Sequence, residues 1–253
     1  MTTTAADVDA KRWLQRWDAQ QQLHIPDRED RFTAVVQALA AFAGDNPRIL
    51  DLGCGPGSLS ARVLQKLPNA EIVAIDTDPV LLSIGHAAFA GTPNLHFVDA
   101  DLRTDWTAKL PIPPPFDAAV STTALHWLGL PQLVDFYKSL AKVLRPGAVL
   151  LDGDRFDFDH DQRAINAVAQ QVQPDWPPTP HDAEDWPAWW AAVETDPGLA
   201  DAVAERKLRS HEHPHDNQAH SYEFHRAALF AAGFTEVGTI WQRLLNRVLI
   251  AIR

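Results

Sequence analysis

The chain has 253 residues, 46% of them hydrophobic, and carries 22 lysines and arginines against 33 aspartates and glutamates, a net charge of −11. That length suits a single α/β domain with an insertion. The negative balance argues against a nucleic-acid binder, which needs a basic surplus, and against docking on anionic membranes. One cysteine excludes a disulfide framework and any multi-cysteine metal site. The polar stretch Met1 to Arg12 is unlike a secretory signal, and the apolar stretch Ala34 to Ala43 is too short to span a bilayer. A soluble, cytoplasmic protein is expected.

Met1 to Ile25 forms one amphipathic segment, with Trp13, Leu14 and Trp17 at helical spacing, and Pro26 stops it. Asp27 to Ala43 follows as a second helix, acidic early, with Phe32, Val35, Val36 and Leu39 on one face. The period then changes. Short apolar runs at Arg48–Leu52, Glu71–Asp76, Leu95–Val98, Phe116–Ser121 and Ala148–Asp152 predict five strands. Helical segments at Leu59–Leu67, Pro79–Phe89 and Pro131–Leu144 lie between them, with Pro146-Gly147 as a turn before the fifth strand. This alternation predicts a parallel, doubly wound sheet. Gly153 to His220 breaks the rhythm with Trp176, Trp186, Trp189, Trp190, several prolines and many histidines, and is expected to be an insertion over one end of the sheet. A helix from Ser221 to Ala232, Gly233 as its cap, and strands Thr235–Trp241 and Arg247–Ile252 complete the core. The last two strands are close enough to form a hairpin, so one must run antiparallel.

The strongest motif is Asp51-Leu-Gly53-Cys54-Gly55-Pro-Gly57-Ser58, set between a strand and a helix, where open α/β sheets bind ligands at their carboxyl edge. A dinucleotide fingerprint wants glycine at the first, third and sixth positions, but here the sixth is Ser58. Asp51 just before the loop suits a cation better than a pyrophosphate. S-adenosylmethionine (SAM) has no phosphate and carries an ammonium and a sulfonium, so the loop suits SAM. Asp76 ends the second strand and can accept both ribose hydroxyls, unless it serves as a turn acid, a role that Asp78-Pro79 can also fill. Asp101 is placed to accept the adenine amino group, with the Leu102 backbone N–H meeting a ring nitrogen and Asp99 at the surface. Three acids at successive strand ends are hard to explain by packing, because buried acids are costly.

With these motifs the chain resembles the class I SAM-dependent methyltransferases. The carrying residues are Asp51–Gly57, Ala74-Ile-Asp-Thr-Asp-Pro79, Val98–Leu102, Leu144-Arg-Pro-Gly147, Ala232-Gly-Phe234 and the final Val248–Ile252 strand. Leu125-His-Trp-Leu128 more narrowly resembles small-molecule enzymes similar to the trans-aconitate type. The resemblance covers Asp27 to Asp152 and Ser221 to Arg253. It implies a Rossmann-like seven-stranded sheet of order 3-2-1-4-5-7-6, with strand 7 antiparallel. It also implies one domain: N-terminal cap helices at 1–30, a SAM-binding core at 31–152 and 221–253, and a lid at 153–220. The cofactor set it implies is Asp51, Gly53, Cys54, Gly55, Gly57, Asp76, Thr77, Asp101, Leu102 and Ser121. Arg28 would pair with the SAM carboxylate and Gln21 would flank it; a solvated charge at a helix start is the other role open to Arg28. The Asn/Asp-Pro-Pro-Tyr/Phe motif of base N-methyltransferases is missing, since Ser121-Thr-Thr-Ala124 stands in its place.

The expected function is methyl transfer from SAM to a small-molecule acceptor, with no nucleic-acid or membrane partner and no assignable oligomeric state. Alternatives are other chemistry at the sulfonium, such as intramolecular cyclisation, an NAD-linked oxidoreductase, and a non-catalytic SAM-binding regulator. His126 follows strand four and is the candidate base, because imidazole titrates near neutrality; a structural histidine near the cofactor is its other reading. Trp127 and the face formed by Trp186, Trp189 and Trp190, at i, i+3 and i+4, are expected to wall the acceptor space. His211, His213, His215, His220 and His225 form a cluster, but Pro214, Asp216 and Asn217 make it loop-like, and no metal is assigned.

Overall fold

A computed structural model describes residues 9–25, 27–172, 184–209 and 221–253. Pro26, Trp176, His211, His213, His215 and His220 lie outside the described residues. The strands are β1 (Arg48–Leu52), β2 (Glu71–Asp76), β3 (Leu95–Asp99), β4 (Phe116–Thr122), β5 (Leu144–Arg155), β6 (Glu236–Arg243) and β7 (Asn246–Ile252). They form one sheet in the order β3-β2-β1-β4-β5-β7-β6. β1 to β5 pair in parallel, and β7 runs antiparallel to both β5 and β6. The expected order and the one antiparallel strand are both present.

The parallel strands are mostly apolar because helices cover both faces. α2 (Arg28–Phe42), α3 (Ser58–Lys66) and α4 (Pro79–Ala88) lie on one side, where Phe32, Val35, Leu39, Leu59, Val63 and Leu82 pack on Ile49, Ile72, Val149 and Leu151. α5 (Leu130–Val143) and α9 (Tyr222–Ala231) cover the other, with Phe136, Tyr137, Leu140 and Leu229 on Leu50, Val73, Leu150 and Leu249. α2 therefore belongs to the sheet layer. α1 (Ala10–His24) presents Trp13 and Trp17 to α4 and to α7 (Trp186–Val193) of the insertion.

β5 departs from expectation. It begins at Leu144 and reaches Arg155, so Pro146-Gly147 interrupts a longer strand rather than preceding it. Pairing with β4 shifts register there, and Gly147, at φ +75°, donates its N–H to the Arg253 carbonyl. The extra length carries Asp152 and Asp154 to the carboxyl edge within a regular strand. The insertion contributes α6 (Arg163–Val172), α7 and α8 (Ala200–Arg209), and a bridge between Asp157 and Ser221 brings its ends back together. No helix among the described residues is long and apolar enough to cross a membrane.

Candidate active site

The glycine loop leaves β1 as a tight turn, with the N–H groups of Gly53 and Cys54 donating to the Ile75 carbonyl at 2.8 and 2.9 Å. Gly53 sits at φ +70°, and a Cβ there would lie 2.2 Å from the Ala124 Cβ, so only glycine lets this loop pass the segment that follows β4. At Gly55, φ +54°, an added Cβ would meet only Trp17 and Leu81, at 3.8 and 3.9 Å. Backbone is thus presented beneath the Trp17 ring. Cys54 is buried, and its thiol is held well above the usual range by burial and then by the Asp76 and Asp51 charges.

Asp51 is buried beside the loop and accepts the Ser60 hydroxyl at 2.6 Å. Burial pushes its carboxyl up to about 7, against the pull of its Ser60 hydrogen bonds. Asp76 is raised to about 6, again by burial first. One of its oxygens accepts the Gly55 N–H at 2.7 Å, and the other accepts those of Thr77 and Asp78 at 2.7 and 2.9 Å. Asp78, not Asp76, caps α4, through the N–H groups of Val80 and Leu81. Asp76 therefore braces the loop, and each oxygen keeps further acceptor capacity.

The other expected cofactor residues each have neighbours within the protein. Asp101 is gripped by Arg103, at 2.8 to 3.0 Å, so its carboxylate faces a neighbouring guanidinium rather than standing open for adenine. Leu102 packs on the α5 side of the core. Ser121 is buried and donates to the Leu52 carbonyl at 2.8 Å, which ties β4 to β1 instead of facing a ligand. Arg28 is not a solvated helix-start charge. It is buried, lies over the Phe32 ring, and donates to Asp18 at 2.9 Å. Its Nη1 is enclosed without a hydrogen-bond acceptor, 3.7 Å from Glu29. Asp18 also accepts the Ser58 hydroxyl at 2.6 Å, so α1 is tied to the first turn of α3. Nothing in the spacing pointed to Asp18, because its partners lie 10 and 40 residues away.

On the other side of the site, His126 Nδ1 lies 2.9 Å from both oxygens of Asp154. Burial alone would lower the imidazole, but the Asp154 charge and hydrogen bond outweigh it and hold the pKa above 6.5. Asp154 is buried; desolvation opposes its ionisation, and His126 and then Arg31 overcome that and hold it below the ordinary value. With Asp154 ionised, Nδ1 must be the donor, which leaves Nε2 as the titrating atom. Trp127 lies tilted beside His126 at a centroid separation of 4.9 Å and is substantially exposed.

The three insertion tryptophans do not join them. Trp189 is fully buried, edge-on to Trp13 and Trp17 at 5.6 and 5.1 Å, in a cluster with Val80 and Ile84 of α4. Trp186 contacts Trp17, and Trp190 lies under the Arg206 guanidinium at 3.7 Å. Their shared helical face packs on α1 and α4. Composition revealed a tryptophan-rich element without revealing which sheet edge it covers. α8 is fastened to the same side: Arg206 reaches Asp78 at 2.6 Å, and Arg209 reaches Asp99 at 2.7 Å and the Thr77 carbonyl at 2.9 Å. His225 is buried and shares a 2.7 Å hydrogen bond with the Tyr137 hydroxyl.

Residues 49–147 match the family model described as a methyltransferase domain. Trans-aconitate 2-methyltransferase of Streptomyces avermitilis is 34% identical over 139 residues, 53% of this chain and 49% of that protein. The chain thus spans about half the length of the curated relatives it matches. Human N-acetylserotonin methyltransferase, solved in complex with SAM, superposes with a TM-score of 0.58 at 17% identity, covering 96% of this chain and 56% of that one. The cyclopropane synthase MmaA2 of Mycobacterium tuberculosis gives 0.51 at 20% identity, over 82% of this chain and 62% of that one. These structural likenesses concern the fold alone; the glycine loop and the strand-end acids lie within residues 49–147, the stretch that is similar to a methyltransferase domain.

Proposed function

We propose that this protein transfers a methyl group from SAM to a small-molecule acceptor at the carboxyl edge of β4 and β5. The observation that carries this reading is the loop Gly53–Gly57, a tight glycine turn between β1 and α3 that passes Trp17 and is braced by the strand-end acid Asp76. The donor set fits SAM. Asp76 would take the ribose hydroxyls, the enclosed Arg28 Nη1 would take the carboxylate, and the buried Asp51 would face positive charge. Bound there, SAM supplies an already activated methyl group on a sulfonium.

The protein's share is alignment and proton control. Alignment of donor and acceptor in a closed site is worth ~7–11 kcal/mol of a bimolecular barrier. His126, with Nδ1 anchored on Asp154, presents Nε2 to remove a proton from a protonated acceptor. The anchor fixes the ring and stabilises the imidazolium that results. Trp13, Trp17, Trp186 and Trp189 cover the loop side and keep water from it. A cytoplasmic setting and an acceptor that is neither nucleic acid nor lipid surface accord with the net charge of −11. The test is titration of the full chain with S-adenosylhomocysteine, followed by a screen of small acceptors for its formation from SAM. Cofactor binding with turnover on no acceptor of any class would leave a binding protein and reject the enzyme.

A further inference from the structure

Arg31, one turn beyond Arg28 on α2, is fully enclosed, yet none of its three side-chain nitrogens has a hydrogen-bond acceptor. Its stem lies across Gly153 of β5; a Cβ there would come within 3.1 Å of Cδ and 3.2 Å of Cγ, so the missing side chain is what lets the arginine lie along the strand. Asp152, on the adjoining residue, is also fully buried, and both its oxygens lack a donor. Asp154 and Asp152 are near enough to favour the Arg31 charge, but neither hydrogen-bonds to it. Asp154 is already committed to His126 and to the Arg155 N–H.

A buried guanidinium with no hydrogen-bond acceptor is costly to hold, and a hydrogen-bonded ion pair or hydrophobic packing would both be cheaper. Two such groups at the edge where the acceptor must lie point to a ligand that satisfies both. The charges around them define its sign. From α2 come Arg28, paired with Asp18, and Arg31; from β5 come Asp152, Asp154 and Arg155; His126 follows β4, and the Tyr137 hydroxyl comes from α5. Asp154 is balanced by His126. Burial and the Asp154 charge keep the Asp152 carboxyl protonated well above the usual range. Arg31 is left as a buried cation with no hydrogen-bond acceptor, beside a carboxyl that burial biases toward its neutral, proton-donating form. Their complement is a single carboxylate, accepting from the guanidinium fork and from the Asp152 hydroxyl.

We propose that Arg31, together with Asp152, binds a carboxylate of the methyl acceptor and thereby sets the acceptor's class. The inference rests on the methyl-transfer reading and adds a specificity residue to it. The test uses the full chain saturated with S-adenosylhomocysteine, titrated calorimetrically with trans-aconitate, fumarate and benzoate and with the neutral amide of each. At least one acid is expected to bind at least tenfold more tightly than its amide. Arg31→Met should weaken that acid roughly 10- to 150-fold, Arg31→Lys should weaken it less, and affinity for S-adenosylhomocysteine should stay within about twofold. The melting temperature of ligand-free Arg31→Met should equal or exceed that of the wild type, because an unpaired buried charge has been removed. Binding of no acid, or equal binding of acids and amides, overturns the proposal. A tenfold loss of S-adenosylhomocysteine affinity in Arg31→Met would assign the arginine to the cofactor's own carboxylate. A lowered melting temperature with acid binding unchanged in Arg31→Lys would assign it to structure. A wild-type chain that binds no S-adenosylhomocysteine fails one step earlier, and rejects the methyl-transfer reading itself.

Discussion

Asp51 gives the sharpest quantitative expectation. Its carboxyl is buried beside the glycine loop and moved from 3.8 to about 7, chiefly by loss of solvent. In the unfolded chain it titrates near its ordinary value. Because the folded pKa is the higher one, the folded state holds the proton longer, and stability is lost as pH rises from about 4 through about 7. A shift of that size corresponds to about 4 kcal/mol once both states are ionised. Asp51→Asn has nearly the same shape, can still accept from Ser60, and has no charge to desolvate. Relative to wild type, the ligand-free variant should therefore gain about 2 to 3 kcal/mol of stability between pH 5 and pH 8. Urea unfolding at both pH values, compared within each pH, isolates this slope from everything the two proteins share. The variant should also bind SAM more weakly, since the carboxylate that faces its cationic groups is gone. A stability difference that does not change with pH would refute the account of Asp51 as a charge held in reserve for a cation.

Other perturbations separate the parts of the site. Asp76→Ala removes the ribose acceptor and the brace on Gly55, and SAM affinity should fall roughly 10- to 150-fold by calorimetry; an unchanged affinity would defeat the assignment. His126→Ala should reduce turnover about 10²- to 10⁴-fold with cofactor binding preserved. In the wild type the rate should rise with pH through a midpoint above 6.5, because Asp154 stabilises the protonated ring, and Asp154→Asn should move that midpoint down. A variant midpoint that stays put would detach the aspartate from the base. Trp189→Ala should cost about 3–5 kcal/mol in chemical denaturation. It should also weaken SAM binding, because its neighbour Trp17 lies over Gly55. Full cofactor affinity in that variant would refute the placement of the cluster on the cofactor side.

The sheet is legible in the sequence because parallel strands covered on both faces leave short, mostly apolar runs, and Gly53, Gly55 and Gly57 mark a turn of bare backbone between the first strand and the helix after it. β5 was drawn too short because Pro146-Gly147 has the local chemistry of a turn, whereas the strand tolerates both at a register shift. The strand-end acids were found, but local spacing could not tell that Arg103 holds Asp101 or that the Ser121 hydroxyl is used within the sheet. The spacing of Trp186, Trp189 and Trp190 shows a shared helical face but not its neighbours, since only tertiary packing brings Trp13 and Trp17 of α1 against Trp189. Arg31 and Asp18 were invisible for the same reason. Each looks like an ordinary charged residue of an amphipathic helix until its burial and its partners, or lack of them, are seen.

The central claim is that the loop between β1 and α3 takes SAM. Calorimetric titration of the full chain with S-adenosylhomocysteine and, separately, with NAD tests it most directly, since both ligands can use a strand-end acid for ribose and only NAD needs room for a pyrophosphate. The account predicts saturable binding of S-adenosylhomocysteine, weakened by Asp76→Ala, and no measurable heat with NAD. Tighter binding of NAD than of S-adenosylhomocysteine would contradict it.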